Sequence, residues 1–215
     1  MRKKLLMFDL DGTIADTIWT IRYGVNMAMR KYGFPEKSYE EVRLAIGNGA
    51  KNLMRRCIPE NRRDDDSFVN AVLADYDKFY GLTYANIDGC YEGMREAICE
   101  LKNRGCIIAV LSNKQDHYVK KIVQALFDKD TVSWIQGQTD MPQKPDPTVP
   151  LMIAEHFGVR PDDCAFIGDS DVDVMTAKNA GMTAVACAWG YRPREVLTDA
   201  DRIIESPCEL TEIFE

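Results

Sequence analysis

The chain opens on an apolar run, Leu5-Leu6-Met7-Phe8, that stops abruptly at Asp9 and Asp11. A short, unbroken apolar run of this kind is the pattern of a strand covered on both faces. Past Thr13 the period changes. Ile18, Ile21, Val25, Met29 and Tyr32 recur three or four apart and predict a helix over 17–32, ended by Gly33-Phe34-Pro35. A short helix is expected over 39–45, then a Gly47-Asn48-Gly49 loop and a helix through Arg56 until Pro59. The charge run 62–66 reads as a solvated loop and 67–80 as a further helix. No strand-like alternation occurs in this block.

From about Asp88 helix and strand patterns alternate. An amphipathic helix over 93–104 is closed by Gly105. The apolar run Cys106–Leu111 predicts a strand that ends at Ser112-Asn113. Further helices are predicted over 118–127, 148–157 and 171–180, and further strands over 132–136, 164–167 and 183–188, with a last edge strand at Ile203-Ile204. Lys144 falls in a proline-rich turn over 143–147. This alternation implies an α/β fold: a Rossmann-like parallel sheet with helices on both faces. The all-helical block is then an inserted domain. The expected division is an α/β core of residues 1–15 and 86–215 and an all-α cap of residues 16–85, with hinges near Ala15-Asp16 and 84–87. There is no internal repeat and no low-complexity tract.

Composition changes this picture little but excludes several functions. Hydrophobic residues make up 46% and charged residues 28%, as in ordinary globular domains. A formal net charge of −7 argues against non-specific nucleic-acid binding, which needs a basic face. No apolar run approaches the roughly 18 residues of a membrane span, and no signal peptide is visible. A cytoplasmic protein is expected. Seven scattered cysteines without CxxC suit buried, reduced thiols. Neither His117 nor His156 pairs with a cysteine at zinc-ligand spacing.

The candidate chemistry lies where the strands end, because ligands of open α/β sheets bind outside their carboxyl ends. The first strand delivers Asp9 and Asp11, which share a side if extended geometry persists that far. The competing reading is a solvated turn at Asp11-Gly12. The second strand delivers Ser112 and Asn113, and Ser112 is also suited to cap the following helix. The loop after the third delivers Lys144, and the fourth delivers Asp169, Ser170 and Asp173. Unpaired buried carboxylates are costly. Several of them with a lysine and a hydroxyl suit Mg²⁺, a hard cation that prefers oxygen ligands and meets substrate phosphate, and a phosphoryl group that accepts from lysine. Asp171 reads as a first-turn helix residue rather than a ligand. No GxGxxG follows any strand, which disfavours a dinucleotide-dependent oxidoreductase.

Together these residues resemble the haloacid dehalogenase superfamily of phosphatases with a helical cap. Asp9-Leu10-Asp11-Gly12-Thr13 is similar to the family's first motif, Ser112-Asn113 to the second, Lys144 to the third, and Gly168-Asp169-Ser170-Asp171-Val172-Asp173 to the fourth. All four stand in the family's order, with the insert in the family's place. The resemblance implies that Asp9 is the nucleophile forming an aspartyl-phosphate and that Asp11 is the general acid and then the base. It implies that Ser112, Asn113 and Lys144 hold the phosphate. Mg²⁺ would be bound by Asp9, by Asp11 through its backbone carbonyl, by Asp169, and by Asp173 directly or through water. Halide displacement is disfavoured, because the dehalogenase members lack the aspartate that Asp11 supplies.

Gly47-Asn48-Gly49, Ser112-Asn113-Lys114 and Trp189-Gly190-Tyr191 together look like the phosphoglycolate phosphatase group. The expected partner is a small phosphate ester such as 2-phosphoglycolate, with no nucleic acid and no membrane, handled by a monomer or homodimer. Gly47, Asn48, Gly49 and Lys51 form a candidate substrate loop in the cap, since glycines allow close approach; a plain helix–helix turn is the competing reading. Inorganic pyrophosphatase and nucleotidase are the nearest alternatives. A sugar phosphomutase and a phospho-receiver signalling module are remoter ones. The receiver is disfavoured because Lys144 precedes Asp169 and because an insert splits the core.

Overall fold

A computed structural model describes residues 1–86 and 89–214; the hinge expected at Ile87 lies outside the described residues. In chain order the elements are β1 (Leu5–Phe8), α1 (Ile18–Lys31), α2 (Tyr39–Ala45), α3 (Gly49–Cys57), α4 (Asp66–Tyr80), α5 (Met94–Asn103), β2 (Ile107–Gln115), α6 (Asp116–Leu126), β3 (Trp134–Gln138), α7 (Thr148–His156), β4 (Cys164–Gly168), α8 (Asp171–Asn179), β5 (Thr183–Cys187), β6 (Arg202–Ile204) and α9 (Glu209–Ile213). The chain forms two compact units, Met1–Asp16 with Gly89–Glu215, and Thr17–Asp88.

The first unit is an α/β fold built on one six-stranded sheet in the order β3-β2-β1-β4-β5-β6. Every pairing is parallel. β1 lies between β2 and β4, with Leu5 opposite both Ile107 and Cys164. All four β1 residues are fully buried, which is why the run shows no polar alternation. Truncating one of them, as in Leu6→Ala, is expected to cost about 2–5 kcal/mol through lost transfer energy and the cavity left behind. Because the strands are parallel, β1, β2 and β4 deliver their carboxyl ends to the same edge.

The elements depart from the sequence expectations at specific places. β2 continues through Ser112, Asn113 and Lys114 to Gln115 instead of ending at Leu111, so Ser112 lies inside a strand and caps no helix. Its pairing with β3 slips between Leu111 and Gln115: Leu111 faces Gln136, and Gln115 faces Gln138. Three β2 residues therefore oppose Gly137 alone, a bulge that keeps the strand going while re-aiming its side chains. β3 starts two residues later than predicted, and α9 was not anticipated. The 62–66 run contains the expected solvated loop at residues 63–65, between two helical segments. Residues 60–62 form a 3₁₀ turn, and Asp65 caps α4 by accepting the Phe68 N–H at 3.0 Å.

The second unit is all-helical. α1 and α4 pack closely at Gly24, where a methyl group would meet the Tyr76 ring at 3.0 Å. Asp75 is buried on α4, accepting from Lys31 Nζ at 2.6 Å and Tyr32 Oη at 2.9 Å. Ser38 and Glu41 form a reciprocal capping box at the start of α2. Among the described residues, no helix is long and apolar enough to cross a membrane.

Candidate active site

The first strand does not carry its geometry as far as Asp11. β1 ends at Phe8, although the Asp9 N–H still donates to Ile167 O at 2.9 Å and so stays tied to β4. Beyond it the chain turns, with the N–H groups of Thr13, Ile14 and Ala15 all meeting Leu10 O. The two aspartates therefore face different cations. Asp9 meets Lys144, with Nζ 2.8 Å from Oδ1. Asp11 meets Lys114, whose Nζ lies 2.8 Å from Oδ1 and 3.1 Å from Oδ2.

Around Asp9 the structure gathers Asp169 and Asp173, and the three carboxylates present oxygens within 4.8 Å of one another. All three are buried. Asp169 sits just past β4, where Thr13 Oγ1 donates to Oδ1 at 3.0 Å and the Tyr191 N–H donates to Oδ2 at 2.7 Å. Asp173 belongs to the first turn of α8. Its Oδ2 accepts from the Ser170 N–H at 3.1 Å and the Ser170 hydroxyl at 2.5 Å, while its own N–H donates to Ser170 Oγ. This capping box aims Oδ1 at Lys144 Nζ, 2.7 Å away. Lys144 is thus buried between Asp9 and Asp173.

Asn113 does not present its amide to the cluster. Its Nδ2 donates to Lys144 O, and its Oδ1 accepts the Lys144 N–H, both at 3.0 Å. It fixes the lysine loop to β2. Ser112 is buried beside it, its oxygen accepting the Lys114 N–H at 3.4 Å. Asp171 lies in the first turn of α8, 3.8 Å from Arg192. In the helical unit, Gly47 and Gly49 adopt positive φ, Asn48 O accepts from Asn52 Nδ2 at 2.9 Å, and Lys51 lies 3.5 Å from Asp66.

Three glycines make room for the cluster. A Cβ at Gly190 would fall 2.1 Å from Asp169 Cβ, one at Gly12 2.5 Å from Asp169 Oδ2, and one at Gly168 2.3 Å from Asp173 Cβ. Tyr191 and Trp189 close the cradle, since Trp189 Nε1 donates to Thr13 O at 3.2 Å and Tyr191 Oη donates to Asp16 at 3.0 Å. The part played by Tyr191 through its backbone has no signal in the side-chain pattern. Gly190 after a strand end is the one available hint of close approach.

The charges do not balance. Burial, then Asp173 and Asp9, push the Asp169 carboxyl up to about 8. Burial raises Asp9 to about 6, although Lys144 opposes the shift. Asp173 and Asp9 hold Lys144 above its usual range despite its burial. Asp9 Oδ1 is buried, with the Lys144 ammonium 2.8 Å away. An all-oxygen set of three buried acids facing one lysine fits a hard divalent cation. Asp9, Asp169 and Asp173 are the residues that would hold it.

A parallel sheet carrying an acid cluster and a buried lysine at its carboxyl edge is suited to holding a cation and an anionic group. The family model of the haloacid dehalogenase-like hydrolases matches residues 6–187, and the chain belongs to that family. It is 33% identical over 192 residues to phosphoglycolate phosphatase 1 of Pseudomonas aeruginosa, covering 87% of this chain and 70% of that one. It is 30% identical over 218 residues to a phosphoglycolate phosphatase of Mannheimia succiniciproducens, covering 98% and 97%. A crystal structure of a predicted phosphoglycolate phosphatase from Haemophilus somnus superposes with a TM-score of 0.90 at 28% identity, covering 99% of this chain and 98% of that one.

Proposed function

We propose that this enzyme is a Mg²⁺-dependent phosphatase that hydrolyses a small phosphomonoester, 2-phosphoglycolate, through an aspartyl-phosphate on Asp9. The observation that carries the reading is the buried contact of Asp9 with Lys144 inside a cluster of acids that lacks enough positive charge. The names of the relatives support the choice of ester. When bound between Asp9, Asp169 and Asp173, the cation supplies charge neutralisation for the phosphoryl oxygens.

The chain's own residues divide the remaining work. Asp9 needs no activating base, since a carboxylate is already a nucleophile once ionised. One of its oxygens attacks phosphorus, the bond to the ester oxygen breaks, and the electron pair leaves on that oxygen. Asp11 gives the departing alkoxide a proton, then takes one from the water that attacks the aspartyl-phosphate. That second step releases phosphate and restores Asp9. Lys144 offsets the repulsion between an anionic nucleophile and an anionic phosphate, and Asp173 and Asn113 hold Lys144 in place. Ser112 offers a hydroxyl to a phosphoryl oxygen.

The test is a phosphate-release screen with Mg²⁺ over 2-phosphoglycolate, sugar and nucleotide monophosphates, p-nitrophenyl phosphate and pyrophosphate, compared by kcat/KM. The glycolate ester is expected to lead, and a lead for pyrophosphate or a nucleotide would reassign the substrate. Asp9→Asn is expected to fall below ~1% of the wild-type rate on every ester, because the covalent step has no substitute nucleophile. Retained activity there removes the aspartyl-phosphate route.

A further inference from the structure

The bulge in β2 has a chemical result. It turns Lys114, two residues beyond Ser112, toward the first loop, where its ammonium grips both oxygens of Asp11. The pair is largely shielded, with 8% of the Lys114 side chain and 11% of the Asp11 side chain exposed. Shielding matters, because an exposed ion pair of this length would hold little geometry. The backbone around the bulge is itself fixed. The Gly137 N–H donates to Asp116 Oδ1 at 3.0 Å, and a Cβ at Gly137 would fall 2.5 Å from Lys114 O. On the other side, Asp11 is fastened through the Gly12 N–H to Ala15 O at 3.0 Å.

We propose that Lys114 is the positioning residue for Asp11, holding its carboxyl group in the orientation from which it protonates the leaving alkoxide. The inference rests on the proposed function, in which Asp11 is the acid. An ammonium has donors only. Its contacts to both oxygens lock the carboxyl rotation, and each oxygen keeps a second lone pair that can face the leaving group. Lys144 and Lys114 then serve separate acids. One faces the nucleophile and the other the proton donor, and the lysine of the second pair comes from β2 and not from the loop after β3.

A purely structural ion pair and a positioning pair differ in how their loss depends on the leaving group. A nitrophenolate departs without help, whereas an alkoxide needs its proton. The value of kcat/KM reports steps up to transfer of the phosphoryl group to Asp9, so it isolates the acid step. Lys114→Met, Lys114→Arg and Asp11→Asn are to be compared on p-nitrophenyl phosphate, on a simple alkyl phosphate without a carboxylate, and on 2-phosphoglycolate. Lys114→Met is expected to lose about 10- to 100-fold more on both alkyl esters than on the aryl ester, the scale of a misplaced general acid. Asp11→Asn is expected to show the same bias more strongly, and Lys114→Arg to restore part of it.

An equal loss on all three esters, or no loss, overturns the proposal. So does a loss confined to the KM of the carboxylate-bearing ester, which would make Lys114 a substrate contact. Should Lys114→Met fail to fold, Lys114→Arg against Asp11→Asn carries the same comparison. If Asp9→Asn stays active, the proposed function itself has failed. If Asp9→Asn is inactive and only Asp11→Asn shows the leaving-group bias, this inference alone has failed.

Discussion

On the proposed function, Lys144 serves both chemistry and folding. It is buried between Asp9 and Asp173, with Phe166 beneath it, its ring centroid 5.1 Å from Nζ. Removing one partner of a buried ion pair strands the others, at a cost of about 3–5 kcal/mol. Lys144→Met is therefore expected to lower stability by that amount, measured by urea unfolding without a divalent cation, and to abolish turnover. Adding Asp173→Asn removes one of the stranded charges. The double variant should regain much of the stability and none of the activity; equal recovery of both would show that Lys144 acts only through folding. The meeting of Asp9, Lys144, Asp169 and Asp173 was legible in the sequence because Asp9 and Asp169 follow apolar runs, Lys144 lies in the loop after the third strand, Asp173 lies one turn past Asp169, and strand ends of a parallel sheet converge. Their partners were not. Thr13 and Tyr191 hold Asp169 by a hydroxyl and a backbone N–H from segments far apart in the chain, and no residue pattern encodes such a meeting.

At the scale of elements, hydropathy finds strands by what they bury. β1, β4 and β5 bury apolar side chains along their length and were legible as runs. β2 was legible only to Leu111, since its last four residues, Ser112, Asn113, Lys114 and Gln115, are polar. The bulge that accommodates them depends on Gly137 across the ladder. There a side chain would collide with the backbone of Lys114 and Asp116. Backbone cannot move aside as a flexible side chain can, and overpacking of this kind costs about 1–3 kcal/mol. Gly137→Ala should lower the urea midpoint accordingly. It should also displace Lys114, so that alkyl phosphate turnover falls more than aryl phosphate turnover. A stability loss with the two esters equally affected would mean that the bulge carries no information to Asp11.

For the molecule as a whole, the acid cluster ties stability to pH and, on the proposed function, to a divalent cation. The folded-state values of Asp9 and Asp169, about 6 and about 8, both lie above the ordinary 3.8. The folded chain then binds more protons than the unfolded one between these limits, and stability must fall as pH rises. The contribution is fully present below about 4 and is lost by the time pH passes about 8. Glu41 works in the opposite sense but elsewhere. Its carboxylate, held down to about 2 by Ser38, favours the fold above its ordinary 4.5 and loses that effect only in acid. Lys144 is charged throughout this range and adds no slope. A cation held by carboxylates competes with their protons, so its binding should strengthen as pH rises to about 8. Ligand binding stabilises the native state by RT ln(1 + [L]/Kd), about 2.7 kcal/mol at a hundredfold excess over Kd. At one fixed MgCl₂ concentration the gain in Tm should therefore be larger at pH 8 than at pH 6. Calorimetry of wild type and Asp169→Asn at both values checks it: the variant should lose most of the cation-dependent gain and also much of the apo protein's decline with pH. A gain in Tm that is the same at both pH values, or that survives in Asp169→Asn, would separate the cation from this cluster.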